Sequence, residues 1–398
     1  MHARYHAHPD MRHSELNQRS FRMLKPPYPH NAESNARRKQ KTPQGKHSQD
    51  RVKADIRAFS VAAKTALNYT FLSYVQTTVR EGRDMDTSQF RGVIPPVVIP
   101  LSDKKTLDLE AFDRSINRMI EAGVDGLFFL GSSGEVAFLT DAQRYHVLQE
   151  AVAIVNGRVP VLAGIIDMET MRVVDQAKRA TGFGVDALVA TAPFYALGGP
   201  KEVERHFRAI REYTDLPLFA YDLPQCVHTK LDPTMLVRLG QDGVLQGVKD
   251  SSGDDVAFRW LILENEDAGH PLQLLTGHEV CVDGAYLAGA DGSVPGLGNI
   301  DPASYAEQWK AAQAGDWARV KEIQDHLARL MFMTRRVKAT VGFGAGVGAF
   351  KTALWQMGVF NTNQMREPVQ PLVGEDVKAI VEVLKEAGLM DPDAPIRE

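Results

Sequence analysis

"DGLFFLGSSGEVAFLTDAQ", residues 125–143, passes from large apolar side chains through a glycine-serine loop into a threonine–aspartate pair. The run Leu127 to Leu130 is short, aromatic-rich and bounded by glycines, which reads as a buried strand. The loop "GSSGE" ends it, and Thr140/Asp141 carry the residue types that start a helix. A strand followed at once by a helix is the repeating unit of α/β folds.

The same rhythm recurs along the chain. "GVIPPVVIP" forms a first strand, and Leu109, Phe112, Ile116, Met119 and Ile120 mark one face of the helix after it. "VPVLAG", "DALVAT", "LPLFAY", "VLQGVK", "LQLLTG" and "DGSVPG" give strands three to eight, with helical stretches in every gap. Eight βα units over about 225 residues predict a (β/α)8 TIM barrel. A doubly wound sheet is the alternative, but no strand leads into a GxGxxG turn. Beyond the eighth unit the pattern is helical. Trp317, Val320, Ile323, Leu327 and Leu330 share one face, and Val377, Ile380, Val381 and Leu384 share another, predicting an appended C-terminal helical layer. The expected division is an extension over 1–84, the barrel over 85–300, and its last helix with the helical layer over 301–398.

The 398 residues are 44% hydrophobic, enough for a sizeable core. Charge is uneven: residues 1–53 hold 12 Lys/Arg against 4 Asp/Glu, so that segment is +8 and the rest −12. An acidic body argues against nucleic acid as a partner. No apolar stretch reaches the roughly 20 residues of a membrane span. Cys226 and Cys281 have neither metal-ligand nor disulfide-framework spacing, which suggests a reducing, cytoplasmic setting. Six of the twelve histidines fall within residues 1–53, where no hydrophobic period could bury a face, and residues 54–80 carry only a weak helical pattern. Met85 directly precedes the barrel-like body, so residues 1–84 are expected to be a disordered or non-native extension.

A TIM barrel gathers its working groups at the C-terminal ends of the strands. Those ends include "GSSGE", "APFY", "YDLP", Lys249, "TGHE" and "PGLGN". A lysine at a strand end can simply snorkel to water. Lys249, however, lies one strand from Tyr221. A lysine amine among apolar walls can attack a ketone, and the iminium formed draws electrons from a neighbouring carbon–carbon bond. A phenol beside it can carry the protons this chemistry needs. Ser132 and Ser133, flanked by glycine N–H groups, suit a carboxylate, although the same letters also describe a plain turn.

In this combination and order the residues resemble the dihydrodipicolinate synthase and N-acetylneuraminate lyase superfamily of class I Schiff-base lyases, over about residues 90–388. "GSSGE" is similar to its carboxylate loop, "YDLP" to its Y-N-x-P, "GVKDSSGD" to its Schiff-base strand and "ADGSVPGLGN" to its strand-eight segment. The resemblance implies that Lys249 forms the Schiff base and Tyr221 carries protons. It further implies that Ser132 is a relay hydroxyl between two tyrosines and that Ser133, with Gly134, holds the 2-oxo acid carboxylate. Tyr195 matches a tyrosine that in the synthases reaches across a dimer interface, so a homo-oligomer, a dimer of dimers, follows by analogy. Pro295 joins the expected substrate contacts. Neither cofactor nor metal is expected.

The chain departs from the synthases in "YDLPQCVHTK", where Cys226 occupies the place of an arginine that binds aspartate semialdehyde. A thiol cannot form the bidentate pair an arginine offers a carboxylate. His228 and Lys230 lie nearby as possible substitutes, and His278 of "TGHE" is a candidate reader of a sugar-acid hydroxyl. The expected function is an aldolase or dehydratase acting on pyruvate or a 2-keto-3-deoxy sugar-acid type of 2-oxo acid. The alternatives are dihydrodipicolinate synthase itself and, from a different class, a non-catalytic small-molecule-binding barrel.

Overall fold

A computed structural model describes residues 87–397. The extension over 1–84 and the Met85 start lie outside the described residues. From Gly92 onward the predicted alternation is present. The strands are β1 Gly92–Val93, β2 Leu127–Phe129, β3 Val161–Gly164, β4 Ala187–Thr191, β5 Leu218–Asp222, β6 Gly247–Asp250, β7 Gln273–Thr276 and β8 Gly292–Ser293. Between them run α1 Leu109–Glu121, α2 Asp141–Val155, α3 Thr170–Gly182, α4 Pro200–Arg211, α5 Pro224–Val227, α6 Pro233–Gln241, α7 Asp255–Asp267 and α8 Val282–Ala288. The helical layer comprises α9 Pro302–Gln313, α10 Trp317–Met331, α11 Met333–Arg336, α12 Phe343–Gln356 and α13 Glu375–Glu386.

Every strand pair is parallel, in the order β1-β8-β7-β6-β5-β4-β3-β2. The ring closes where Val97 N–H donates to Phe128 O at 2.8 Å and Phe128 N–H to Pro95 O at 3.0 Å. The first strand is shorter than its apolar run because Pro95 and Pro96 lack the N–H a ladder needs, so Pro96 meets Phe128 only as an isolated bridge. At the start of α2, the Thr140 hydroxyl accepts from Gln143 N–H and the Gln143 side chain accepts from Thr140 N–H, the reciprocal cap that the sequence marks.

Two apolar layers result from the two-residue period of the strands. Phe90, Ile94, Phe128, Leu162, Val189, Phe219, Tyr221, Leu275 and Val294 fill the barrel, while the opposite strand faces pack on the helices. Each large apolar side chain so buried contributes about 1.5–3 kcal/mol. Phe90 and Phe219 meet edge-on at 5.5 Å and plug the interior below the rim. Gly247 is required there, since a Cβ on it would lie 2.1 Å from the Phe219 ring.

In the helical layer the expected faces are buried apart from Trp317, which sits at the first position of α10 and is 39% exposed. The sequence does not mark out α12. It is buried on nearly every side, so its "FGAGVGAF" shows no amphipathic period.

Candidate active site

The register pairs Tyr221 with Lys249 and Asp222 with Asp250 across β5 and β6. Strand alternation then sends the first pair into the barrel and the second pair outward toward the helices. Lys249 is 5% exposed and does not snorkel. Its Nζ lies over the Tyr221 ring, 4.0 Å from the centroid, and 4.9 Å from that of Phe128. A cavity of about 230 Å³ opens above it, lined on the polar side by Ser133, Tyr221, Lys249, Ser251 and Glu279.

Glu279 is the site residue that the sequence reading passes over. Its Oε1 accepts Leu297 N–H at 2.9 Å. Burial pushes the carboxyl up to about 7, against its bonds from Leu297 and Gly296 and the nearby charge of Lys249. Gly296 sets the spacing here. A Cβ on it would lie 2.8 Å from Glu279 Oε1, 2.8 Å from the Phe350 ring and 3.4 Å from Ser133 Oγ. The signal in the sequence was its place at the end of strand seven, beside the more conspicuous His278.

The "GSSGE" loop is a tight turn in which Gly134 N–H donates to Gly131 O and Glu135 N–H to Ser132 O. The N–H groups of Ser132 and Ser133 take no part in these turn bonds. Gly134 is closely packed, since a Cβ there would meet Leu130 N and Val97 O at 3.3 Å each, and it is outside the cavity lining. Glu135, in a left-handed conformation with φ 56°, ties the loop to the helical layer. Its carboxylate accepts from Lys351 Nζ and, at 3.3 Å, from Arg366 N–H. Both ends of the Glu135–Lys351 ion pair are fully buried.

Other expected positions fall differently. Ser132 is half-buried and outside the cavity lining, and among the described residues no hydrogen bond joins it to Tyr221 or Tyr195. Tyr195 is 90% exposed on this chain, at φ 72°. Pro295 is buried and heads the turn Gly296–Asn299, so it positions Gly296 without lining the cavity itself. Asn299 holds that turn against the segment after β1, donating to Pro96 O and Gly296 O and accepting from Val98 N–H. Cys226 and His228 are exposed and likewise stand outside the lining.

Lys230 is already engaged. Its Nζ donates to Asp222 and, at 3.4 Å, to Asp250, on the outer face of the strands. Burial pushes Asp222 up to about 6, relieved by the Lys230 bond and aggravated by Asp250. Burial alone would raise Asp250 too, but its His278 hydrogen bond and the Lys230 charge outweigh that and hold it low. His278 belongs to the same network, with Nδ1 2.7 Å from Asp255 Oδ1 and Nε2 3.4 Å from Asp250 Oδ1. Burial opposes its charge and bonds to Asp250, Cys281 and Asp255 favour it, pushing it up, while Nε2 also accepts Gly253 N–H at 2.8 Å. So tied, His278 is outside the cavity lining. Ligand-type atoms of Asp255, His278 and Cys281 lie within 4.8 Å of one another. The short Nδ1–Asp255 contact is a hydrogen bond to a carboxylate.

The sequence profile of the dihydrodipicolinate synthetase family matches residues 89–387. A 4-hydroxy-tetrahydrodipicolinate synthase of Phenylobacterium zucineum (strain HLK1) is 30% identical over 301 residues, covering 76% of this chain and 98% of its own. A probable 2-dehydro-3-deoxy-D-pentonate aldolase of Escherichia coli (strain K12) is 31% identical over 243 residues, 61% of this chain and 81% of its own. Among solved structures, a prophage protein from E. coli K12 of the dihydrodipicolinic acid synthase family, in complex with pyruvate, superposes with a TM-score of 0.72 at 26% identity, covering 76% of this chain and 99% of that one. Among the described residues no helix is long and apolar enough to cross a membrane.

Proposed function

The chain belongs to the dihydrodipicolinate synthetase family of pyruvate-dependent Schiff-base lyases, and within it we propose a reversible aldolase acting on 2-oxo acids with a hydroxyl at C4. This is the class that includes 2-keto-3-deoxy sugar acids. The observation that carries the reading is the placement of Lys249, Tyr221, Ser133 and Glu279 around one cavity inside the barrel rim.

The Lys249 amine adds to the C2 ketone. Tyr221 supplies and removes protons as the carbinolamine loses water to give the iminium. Ser133, with the N–H groups of its loop, binds the C1 carboxylate. The Glu279 carboxylate takes the proton of the C4 hydroxyl. The C3–C4 bond then breaks, its electron pair moving into the iminium to leave an enamine, and C4 departs as an aldehyde. Protonation at C3 and addition of water release pyruvate and restore the amine. With a carboxyl poised at about 7, Glu279 is ionised in part at neutral pH, as a group that both takes and returns a proton should be.

Condensation with aspartate semialdehyde is the weaker reading. Cys226 cannot pair with the second carboxylate, and Lys230 is held by Asp222 and Asp250. Tyr195, standing in solvent on this chain, serves the site of a neighbouring copy in a homo-oligomer. The deciding experiment is borohydride reduction with pyruvate followed by peptide mapping. The adduct is expected on Lys249; an adduct on another residue, or none, refutes the proposal.

A further inference from the structure

The cavity changes character immediately past Glu279. Its far wall comes from the helical layer: Met331 of α10 and Phe343, Gly346, Val347 and Phe350 of α12. A Cβ on Gly346 would meet nothing within 4 Å, so this stretch of α12 leaves open space beside it. The roof is fixed in place. Lys351, next to Phe350, is locked to Glu135 of the serine loop and donates to Gln364 O at 3.0 Å, while the Phe343 ring packs 5.1 Å from that of Phe138. Among the described residues, the side chains lining this wall offer neither a hydrogen-bond donor nor a cation.

We propose that the aldehyde-side subsite takes a short, uncharged hydrocarbon group. The substrate would then be a 4-hydroxy-2-oxo acid with an apolar tail, cleaved to pyruvate and an aliphatic aldehyde. This rests on the aldolase reading and narrows it. Beyond the C4 hydroxyl, which Glu279 serves, a hydroxyl directed at the wall of Phe350, Val347 and Met331 would lose its water without gaining a partner there. That lowers transition-state binding by about tenfold per hydroxyl. A tail carboxylate would meet the same apolar wall beside the Glu279 carboxylate, which disfavours it further. At about 230 Å³ the cavity holds the volume of roughly eight waters, enough for pyruvate and a short chain.

The test runs the reaction in the addition direction on the full chain, with saturating pyruvate and either butanal or D-glyceraldehyde, molecules of similar size that differ in hydroxyl content. Butanal is expected to have the higher kcat/KM by at least about tenfold. Val347→Thr, which adds a hydroxyl at nearly constant volume, should narrow that ratio about fivefold, and Phe350→Tyr should narrow it as well. Equal or better use of glyceraldehyde, no addition with either aldehyde, or a ratio unmoved by both variants overturns the inference. Borohydride trapping of pyruvate on the same preparation separates the two levels. An adduct on Lys249 without butanal preference removes only this inference, whereas no adduct removes the aldolase reading with it.

Discussion

Substituting Lys351 by Met should damage the protein and its carboxylate site together, through Glu135. The Glu135–Lys351 pair is fully buried at both ends and links the serine loop to the helix that roofs the cavity. Removing Lys351 leaves the buried Glu135 charge with Arg366 as its remaining cationic neighbour, against a loss of about 3–5 kcal/mol for a pair broken in full burial. Glu135 keeps one bond, from Arg366 N–H at 3.3 Å, which places the expected loss at the lower end, about 3 kcal/mol. Replacing both ends by apolar groups of similar size, Glu135→Leu with Lys351→Met, removes the stranded charge. The double variant should therefore recover at least about half of that loss. The loop would still lack its anchor, so KM for pyruvate should remain raised in the double variant while kcat changes less. Urea denaturation of the two single variants and the double, with pyruvate kinetics on each, measures all of this. A loss below about 1 kcal/mol in both single variants, or an unchanged KM in a folded double variant, would show that the pair neither stabilises the fold nor positions the serine loop.

Three further outcomes are expected. Glu279→Gln should lower kcat by about a hundredfold or more and abolish the acidic limb of the kcat/KM profile, which in the unmodified protein should have its midpoint near 7. The folded carboxyl holds a proton between 4.5 and about 7 that the unfolded chain has released, so the native state loses stability as pH rises through that window and Glu279→Gln, measured by denaturation at pH 5 and 8, should gain on it. Gly296→Ala places a methyl 2.8 Å from both Glu279 Oε1 and the Phe350 ring, and should cost about 1–3 kcal/mol by thermal unfolding while slowing formation of the borohydride-trapped adduct. Lys230→Met leaves Asp222 and Asp250 facing each other. Lys230 holds Asp222 down to about 6, so its loss raises Asp222 further; the stability deficit should be full above that raised value and shrink as pH falls toward about 6, and a deficit independent of pH from 5 to 9 contradicts the network.

Much of this protein is decided locally. The short apolar run of "DGLFFL" makes a buried strand, Thr140 and Gln143 cap the helix after it, and eight such units leave the chain few compact arrangements other than a closed barrel. Once strand ends are known, the two-residue period alone places Lys249 beside Tyr221, which is why the chemistry could be read from letters. What lay beyond reach were contacts made across long separations. Lys230 lies close in sequence to Cys226, yet Asp222 and Asp250 hold it on the outside of the barrel. His278 looked like the substrate contact of "TGHE", yet Asp255 and Asp250 hold it, and its neighbour Glu279 enters the cavity. Lys351 lies 216 residues from Glu135, in a helix whose burial on nearly all sides erases any amphipathic signal. A periodic pattern reports which face of an element is dry. Which dry faces meet, and which charges find each other there, depends on closing the barrel and docking the helical layer, and these distant contacts settle the shape and polarity of the cavity above Lys249.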